Sequence, residues 1–437
     1  MFLLFYSRAL KKKREQQSFS TIRESSCKSF FSLLCFFIMI AKNIKETMNS
    51  KGASVIRKMF EEGRKLKAIH GDDAVFDFSL GNPDLEPPKE VLDAIKDLAQ
   101  NRQMGDSAYM PNAGLPETRL AIAKKINGEQ GISTLTENHV IITVGAAGAL
   151  VSVFKAILNP GDEVLVSTPF FAEYNHYAKN HGGLLRPVQS REDLSFDLDG
   201  FSAAISSKTA AVLINSPNNP SGKIYTRKEL EGLCALLEKK SKEIGRTIYL
   251  ISDEPYRDIV YDGREVSSLF DLYDASIVVS SFAKNLSLPG ERLGYIAVNP
   301  SMEDASELIA ACTFANRILG FVNAPAFFQR VIARSWNAKA DFSSYERRKN
   351  AITKIVRDAG IDFIEPEGAF YLFCKVPLSK EGSRDDFAFC DHLKKYLILC
   401  APGTGFGSPG YFRISYCVPE KTIMNAAEAF KSARESW

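Results

Sequence analysis

Val140-Ile141-Ile142-Thr143-Val144-Gly145-Ala146-Ala147-Gly148 runs through Ala149–Leu158 and Asn159-Pro160-Gly161-Asp162 into Glu163-Val164-Leu165-Val166-Ser167, and this stretch decides the fold. Five β-branched residues predict a strand. Four small residues break it, residues 149–158 read as a helix, and Asn-Pro-Gly-Asp is a turn before a second strand. Further out, Ala210–Asn215, Thr247–Ser252 and Ser276–Ser280 are short runs that are nearly all apolar. Such strands are buried on both faces, as in a parallel or mixed sheet covered by helices. Thr226-Arg227-Lys228-Glu229 is a capping box that opens an amphipathic helix to about Ile244.

The C-terminal third has another rhythm. A helix is expected around Tyr345–Ala359, then two short strands within Phe363–Val376, turned at Pro366-Glu367-Gly368. A helix at Asp385–Tyr396, strands at Leu397–Cys400 and Tyr411–Tyr416, and a closing helix at Thr422–Ser436 follow. The expected architecture is therefore α/β: a large domain at 86–330 with a mostly parallel sheet covered by helices, and a smaller α+β domain. The smaller one joins an N-terminal segment, 39–85, to residues 331–437. Ligands of open α/β sheets lie beyond the carboxyl ends of the strands, and the polar motifs below follow predicted strands.

The chain has 437 residues, is 45% hydrophobic and 24% charged, and carries a formal charge of +3. This is a globular composition, too nearly neutral to imply nucleic acid or a membrane surface as partner. Its eight cysteines form no Cys-x-x-Cys and no ligand-spaced cluster with the five histidines. Neither a metal site nor a disulfide framework is expected, and a reducing, cytoplasmic setting fits. Lys11–Arg14 is basic and Phe30–Ile40 is apolar with one serine. Together they mimic a signal peptide or weak anchor, but the run is short for a bilayer. Met39 reads as the true start, with 1–38 an extension outside the fold.

The chemistry concentrates in Ser281-Phe282-Ala283-Lys284-Asn285-Leu286-Ser287-Leu288-Pro289-Gly290-Glu291-Arg292-Leu293-Gly294. A lysine that bonds the aldehyde of a phosphorylated cofactor needs a hydroxyl and a guanidinium close by to hold the phosphate. Ser281 and Arg292 supply them. Other segments follow in order: Leu80-Gly81-Asn82-Pro83, Tyr109-Met110-Pro111-Asn112-Ala113-Gly114, Pro169-Phe170-Phe171, Asn218-Asn219-Pro220-Ser221-Gly222, Ser252-Asp253-Glu254-Pro255-Tyr256 and Tyr411-Phe412-Arg413. Taken singly they also have ordinary readings. Lys284 reads as a surface charge, Asp253 as a helix cap, Asn219 as a turn residue and Phe170 or Phe171 as core. Gly145–Gly148 reads as tight helix–sheet packing, Tyr109 as part of a surface turn and Arg413 as half of a buried salt bridge.

Together these segments resemble the class I and II aminotransferases, pyridoxal-phosphate enzymes of fold type I, and look closest to the aspartate aminotransferase family. The resemblance runs from near Met39 to the end of the chain. It implies pyridoxal 5′-phosphate as cofactor, an amino acid and a 2-oxo acid as substrates, ping-pong transfer of the α-amino group, and a homodimer. It assigns Lys284 to the cofactor aldehyde and to proton transfer, Asp253 to the ring nitrogen, and Tyr256 and Asn219 to the phenolic oxygen. Ser281, Arg292 and the backbone of Ala146 and Ala147 would take the phosphate, joined by Tyr109 from the neighbouring subunit. Phe171 would stack on the ring, and Gly81, Asn219 and Arg413 would hold the substrate. Ala146 and Ala147 depart from the hydroxyl residues common there, which leaves backbone contacts only. For an acidic donor such as aspartate, Arg317 is a candidate side-chain partner, or else a charge on a helix surface. A β-lyase on the same fold is an alternative reaction. A cofactor-binding regulator is a further one, but residues 1–60 show no DNA-binding pattern. Gly405-Phe406-Gly407-Ser408-Pro409-Gly410 fits a dinucleotide fingerprint, but a β-rich segment follows it where a helix is required.

Overall fold

A computed structural model describes residues 40–49 and 55–437. The chain divides into two units, Met1–Ser50 and Lys51–Trp437. The described part of the first contains one short helix, Lys42–Asn49, with an ion pair between Lys42 and Glu46 at 3.8 Å. The expected extension 1–38 and the start at Met39 lie outside the described residues. Among the described residues no helix is long and apolar enough to cross a membrane.

In the second unit the strands are β1 (Phe76–Asp77), β2 (Val140–Val144), β3 (Glu163–Ser167), β4 (Leu184–Val188), β5 (Thr209–Asn215), β6 (Tyr249–Asp253) and β7 (Ser276–Ser281). They continue as β8 (Leu293–Val298), β9 (Phe363–Ile364), β10 (Tyr371–Lys375), β11 (Ile398–Leu399), β12 (Ala401–Pro402) and β13 (Tyr411–Ser415). Seven of them form one sheet in the order β2-β8-β7-β6-β5-β3-β4. The pairs from β7 through β4 are parallel, and β8 runs against both of its neighbours. The apolar runs are buried as expected: every residue of β5, β7 and β8 is buried.

Helices cover both faces. Gly145–Ile157 and Ala305–Ile318 pack on one, closing a core that includes Leu150, Phe154, Val166 and Ile251. The first begins at Gly145, earlier than the expected Ala149, because Gly145 takes a positive φ of 70° and turns the chain straight from strand into helix. Arg227–Ile244 lies over a core of Leu165, Phe201, Leu233 and Leu250. Its capping box is formed, with the Thr226 hydroxyl accepting from the Glu229 amide and the Glu229 carboxylate accepting from Thr226.

The C-terminal strands form an antiparallel sheet in the order β12-β13-β10-β9. Its core gathers Phe78, Tyr345, Phe370, Tyr416 and Phe430. The strand expected at Leu397–Cys400 is shorter, Ile398–Leu399, and a second one, Ala401–Pro402, follows it outside the expected range. Ile398–Leu399 pairs with β1, and Ala401–Pro402 pairs with β13, so one short segment serves two sheets.

The reversal of β8 places the site. Ser281 at the end of β7 pairs with Gly294, and Val144 at the end of β2 pairs with Leu293. The ends of β2, β5, β6 and β7 and the start of β8 therefore share one edge. Lys284 and Arg292, eight positions apart, both sit there.

Candidate active site

A cavity of about 520 Å³ opens at this edge. The strand ends furnish Asn215, Asp253 and Ser281, the start of the helix after β2 furnishes Ala146 and Ala147, and the segment between β7 and β8 furnishes Lys284 and Arg292. Across the opening stand Gly81, Tyr371 and Arg413.

Asp253 is 6% exposed. Its Oδ2 accepts from the Tyr174 hydroxyl at 2.6 Å, and its Oδ1 has no partner. Burial pushes this carboxyl up to about 7; the Tyr174 hydrogen bond opposes that rise and the Glu254 charge adds to it. Asn215 ties two segments together here. Its amide donates to the Asp253 carbonyl at 2.7 Å, and its Oδ1 accepts from the Asn219 N–H at 2.7 Å.

The Lys284 amine donates to the Gly81 carbonyl at 2.7 Å and lies 6.0 Å from the Tyr256 ring centre. Burial pulls its pKa down to about 8; the Arg413 and Arg292 charges lower it further and Cys417 opposes them. At that value a useful fraction of the amine is unprotonated near neutral pH.

Arg413, on β13, is 2% exposed. It donates to Asn219 Oδ1 at 2.9 Å and to the Ser79 carbonyl at 2.7 Å, while its Nε is unpartnered. No carboxylate among the described residues pairs with it, so it is not half of a buried salt bridge. Its guanidinium lies between the rings of Tyr371 and Phe406, 4.6 and 4.9 Å from their centres.

Arg292 adopts a left-handed φ of 54° and donates to the Pro289 carbonyl. Its guanidinium rests against the β2–helix turn so closely that a Cβ on Gly145 would stand 2.7 Å from Nη2. A Cβ on Gly294 would strike the backbone of Gly145 and Ala146. Glycines at both positions thus let a guanidinium and a helix N-terminus face one end of the cavity, an arrangement suited to a phosphate.

Of the residues expected from the sequence, Gly81, Ala146, Ala147, Phe171, Asn219, Asp253, Tyr256, Ser281, Lys284, Arg292 and Arg413 line this cavity. Phe171 is the aromatic there; Phe170 packs in the core against Gly407. Tyr109 is not brought in: it is 95% exposed. Arg317 is exposed near the end of the helix Ala305–Ile318 and lies outside the cavity lining. Gly405–Gly410 overlaps a 3₁₀ turn, Gly403–Phe406, and leads into β13, so no helix follows it. Asn215, Tyr174 and Tyr371 were not anticipated. The spacing of Tyr174, one helical turn after Phe171, was the only local hint.

The donor set fits pyridoxal phosphate. A buried carboxylate oxygen without a partner could meet a cationic ring nitrogen, the amine is depressed toward reactivity, and a guanidinium beside a helix N-terminus suits an anion.

The chain matches the family described as aminotransferase class I and II over residues 73–430. It is 32% identical to the aspartate aminotransferase of Thermotoga maritima over 85% of this chain and 95% of that protein. It is 31% identical to the aspartate/prephenate aminotransferase of Thermus thermophilus over 80% and 89%. Among solved structures, an amino transferase from Eubacterium rectale superposes with a TM-score of 0.86 at 38% identity, covering 92% of this chain and 99% of the other. The aspartate aminotransferase of Thermus thermophilus with maleate superposes at 0.79 and 27% identity, covering 91% and 100%. Sequence, fold and cavity agree, and the chain belongs to the class I and II aminotransferases, the pyridoxal-phosphate-dependent transaminases of fold type I.

Proposed function

We propose that this cavity binds pyridoxal 5′-phosphate and that its residues carry the transfer of an α-amino group from an amino acid to a 2-oxo acid. One observation carries the assignment: a single cavity holds Asp253 with a free carboxylate oxygen on one wall and Arg413, buried without a counter-charge, on another. Neither charge is stable there alone. A cationic ring nitrogen and a substrate α-carboxylate would satisfy both.

When bound, the cofactor supplies an aldehyde carbon and an electron-withdrawing ring. Asp253 keeps the proton on the ring nitrogen, and Tyr174 keeps Asp253 aimed at it. Tyr256 and Asn219 donate to the phenolic oxygen. Arg292, Ser281 and the amides of Ala146 and Ala147 hold the phosphate. Arg413 fixes the α-carboxylate, so that the amino acid's Cα–H points at Lys284 Nζ, which takes that proton and returns it. Phe171 covers the ring and helps to exclude water.

The names of the relatives support aspartate as a donor. Because Arg317 lies outside the cavity lining, a side-chain carboxylate would need a cation from elsewhere, and we place it in a partner subunit. The same homodimer would bring the exposed Tyr109 to the phosphate of the neighbouring site. A reducing, cytoplasmic setting suits the six cysteines among the described residues, all buried and unpaired.

The visible spectrum of the purified protein tests the reading. A yellow band that converts to the pyridoxamine form on adding amino acids is expected. No band, even with added cofactor, would refute it. Arg317→Ala should leave the donor preference unchanged, since that residue lies outside the cavity lining.

A further inference from the structure

Two hydroxyls meet deep in the cavity. Tyr256 Oη and Tyr371 Oη lie 2.9 Å apart, and both residues are at most 5% exposed. Tyr256 follows β6 and Tyr371 opens β10, so the contact joins the seven-stranded sheet to the antiparallel one. On β10 and β13, Tyr371 pairs with Ser415 and Phe373 with Arg413, which makes Tyr371 the diagonal neighbour of Arg413 on one face. Its ring accordingly lies under that guanidinium. Its hydroxyl reaches Tyr256 by passing over Gly81, where a Cβ would collide with the Tyr371 oxygen. A glycine at 81 therefore makes room for this contact.

A phenol has one proton. If Tyr256 donated to Tyr371, it would have none for a ligand in the cavity. The pair is asymmetric, because the permanently charged Arg413 guanidinium lies 4.6 Å from the Tyr371 ring centre, while the Lys284 amine, which can lose its charge, lies 6.0 Å from that of Tyr256. A cation over Tyr371 makes that phenol the stronger acid and the better donor. Burial raises both phenols and Arg413 opposes the rise in each; Tyr371 stays at about 12 while Tyr256 goes well above its ordinary value.

We propose that Tyr371 is a positioning residue: its hydroxyl donates to Tyr256, so that the Tyr256 proton is turned into the cavity toward the cofactor's phenolic oxygen. The inference rests on the placement of pyridoxal phosphate proposed above. The charged and titratable groups facing the pair are Arg413 on β13, Cys417 just beyond it, Lys284 after β7 and Asp253 at the end of β6. Only Tyr256 bonds the Tyr371 hydroxyl among the described residues.

The test is a double-mutant cycle on the cofactor-loaded protein and on cofactor-free protein titrated with pyridoxal phosphate. Tyr371→Phe keeps the ring beneath Arg413 and removes only the hydroxyl. It should raise the pH midpoint of the visible band by about half a unit to one unit and weaken pyridoxal phosphate binding about three- to tenfold. Tyr256→Phe should move both further in the same direction. In the Tyr256→Phe background, Tyr371→Phe should change neither, since its effect passes through Tyr256. An unmoved midpoint and affinity in Tyr371→Phe, or an equal effect in both backgrounds, overturns the inference. A wild-type protein without a pH-dependent visible band would overturn the cofactor assignment itself, and this inference with it.

Discussion

The two ends of the seven-stranded sheet each hold a buried aspartate, and the two are treated in opposite ways. At the amino end, Asp162 precedes β3 and receives both arms of Arg246, at 2.9 and 2.7 Å, with the Asn159 N–H at 2.8 Å. That hydrogen bonding holds its carboxyl down at about 2. At the carboxyl end, Asp253 has one neutral donor, a free oxygen, and a carboxyl raised to about 7. The first aspartate is satisfied by the fold and stabilises it. The second is left incomplete, and a ligand must finish it. A sheet of one composition thus keeps its complete polar contacts at one edge and its open ones at the other.

The largest effect that should separate the ends is on turnover. Lys284→Ala removes the only amine among the described residues that line the cavity and should cost about a thousandfold or more in kcat, with cofactor still bound. Near-normal kcat in steady-state assays would break the comparison. Asp253→Asn should lower kcat by about a hundredfold or more and yet stabilise the cofactor-free protein. Between the ordinary carboxylate value of 3.8 and about 7, the folded state keeps a proton that the unfolded chain releases, so stability falls as pH rises through that window. The Asn variant escapes this. Its advantage in denaturant melts should widen from pH 4 to pH 7, to on the order of a few kcal/mol.

Arg246→Ala should do the reverse, with kcat unchanged and a loss of about 1–2 kcal/mol. The stabilisation from Asp162 is full above its ordinary value of 3.8 and disappears as pH falls through about 2. The gap between variant and wild type should therefore close in acid melts. Smallest is Thr226→Ala, which undoes the cap on the helix leading from β5 back to β6. About 1 kcal/mol in a thermal melt is expected, with activity intact.

Much of this was legible because it is local. β2 and β3 fell on the predicted residues, and Asp253 and Lys284 were readable because the strand, its end and the chemical group are contiguous in the chain. Tyr174 and Tyr371 were not, since each acquires its role from a residue 79 or 115 positions away. No periodicity encodes that. The reversal of β8 was equally hidden: Leu293–Val298 is apolar throughout, and a strand buried on both faces reads alike in either direction. Leu397–Cys400 reads as one strand; Ile398–Leu399 within it pairs with β1, and the unpredicted Ala401–Pro402 just after it pairs with β13.

That reversed strand has a mechanical consequence. The chain leaves the sheet at Ser281 and re-enters at Leu293 along the same edge, so the segment carrying Lys284 is a strap clamped at both ends. A clamped strap has little slack to give its amine extra reach. The expectation is that the lysine moves by turning its own side-chain bonds, and that adjustment to a ligand comes from the opposite wall, where Arg413 and Tyr371 ride on the other sheet. Amide hydrogen exchange would read this directly, as slow exchange across residues 282–292 whether or not a substrate is present.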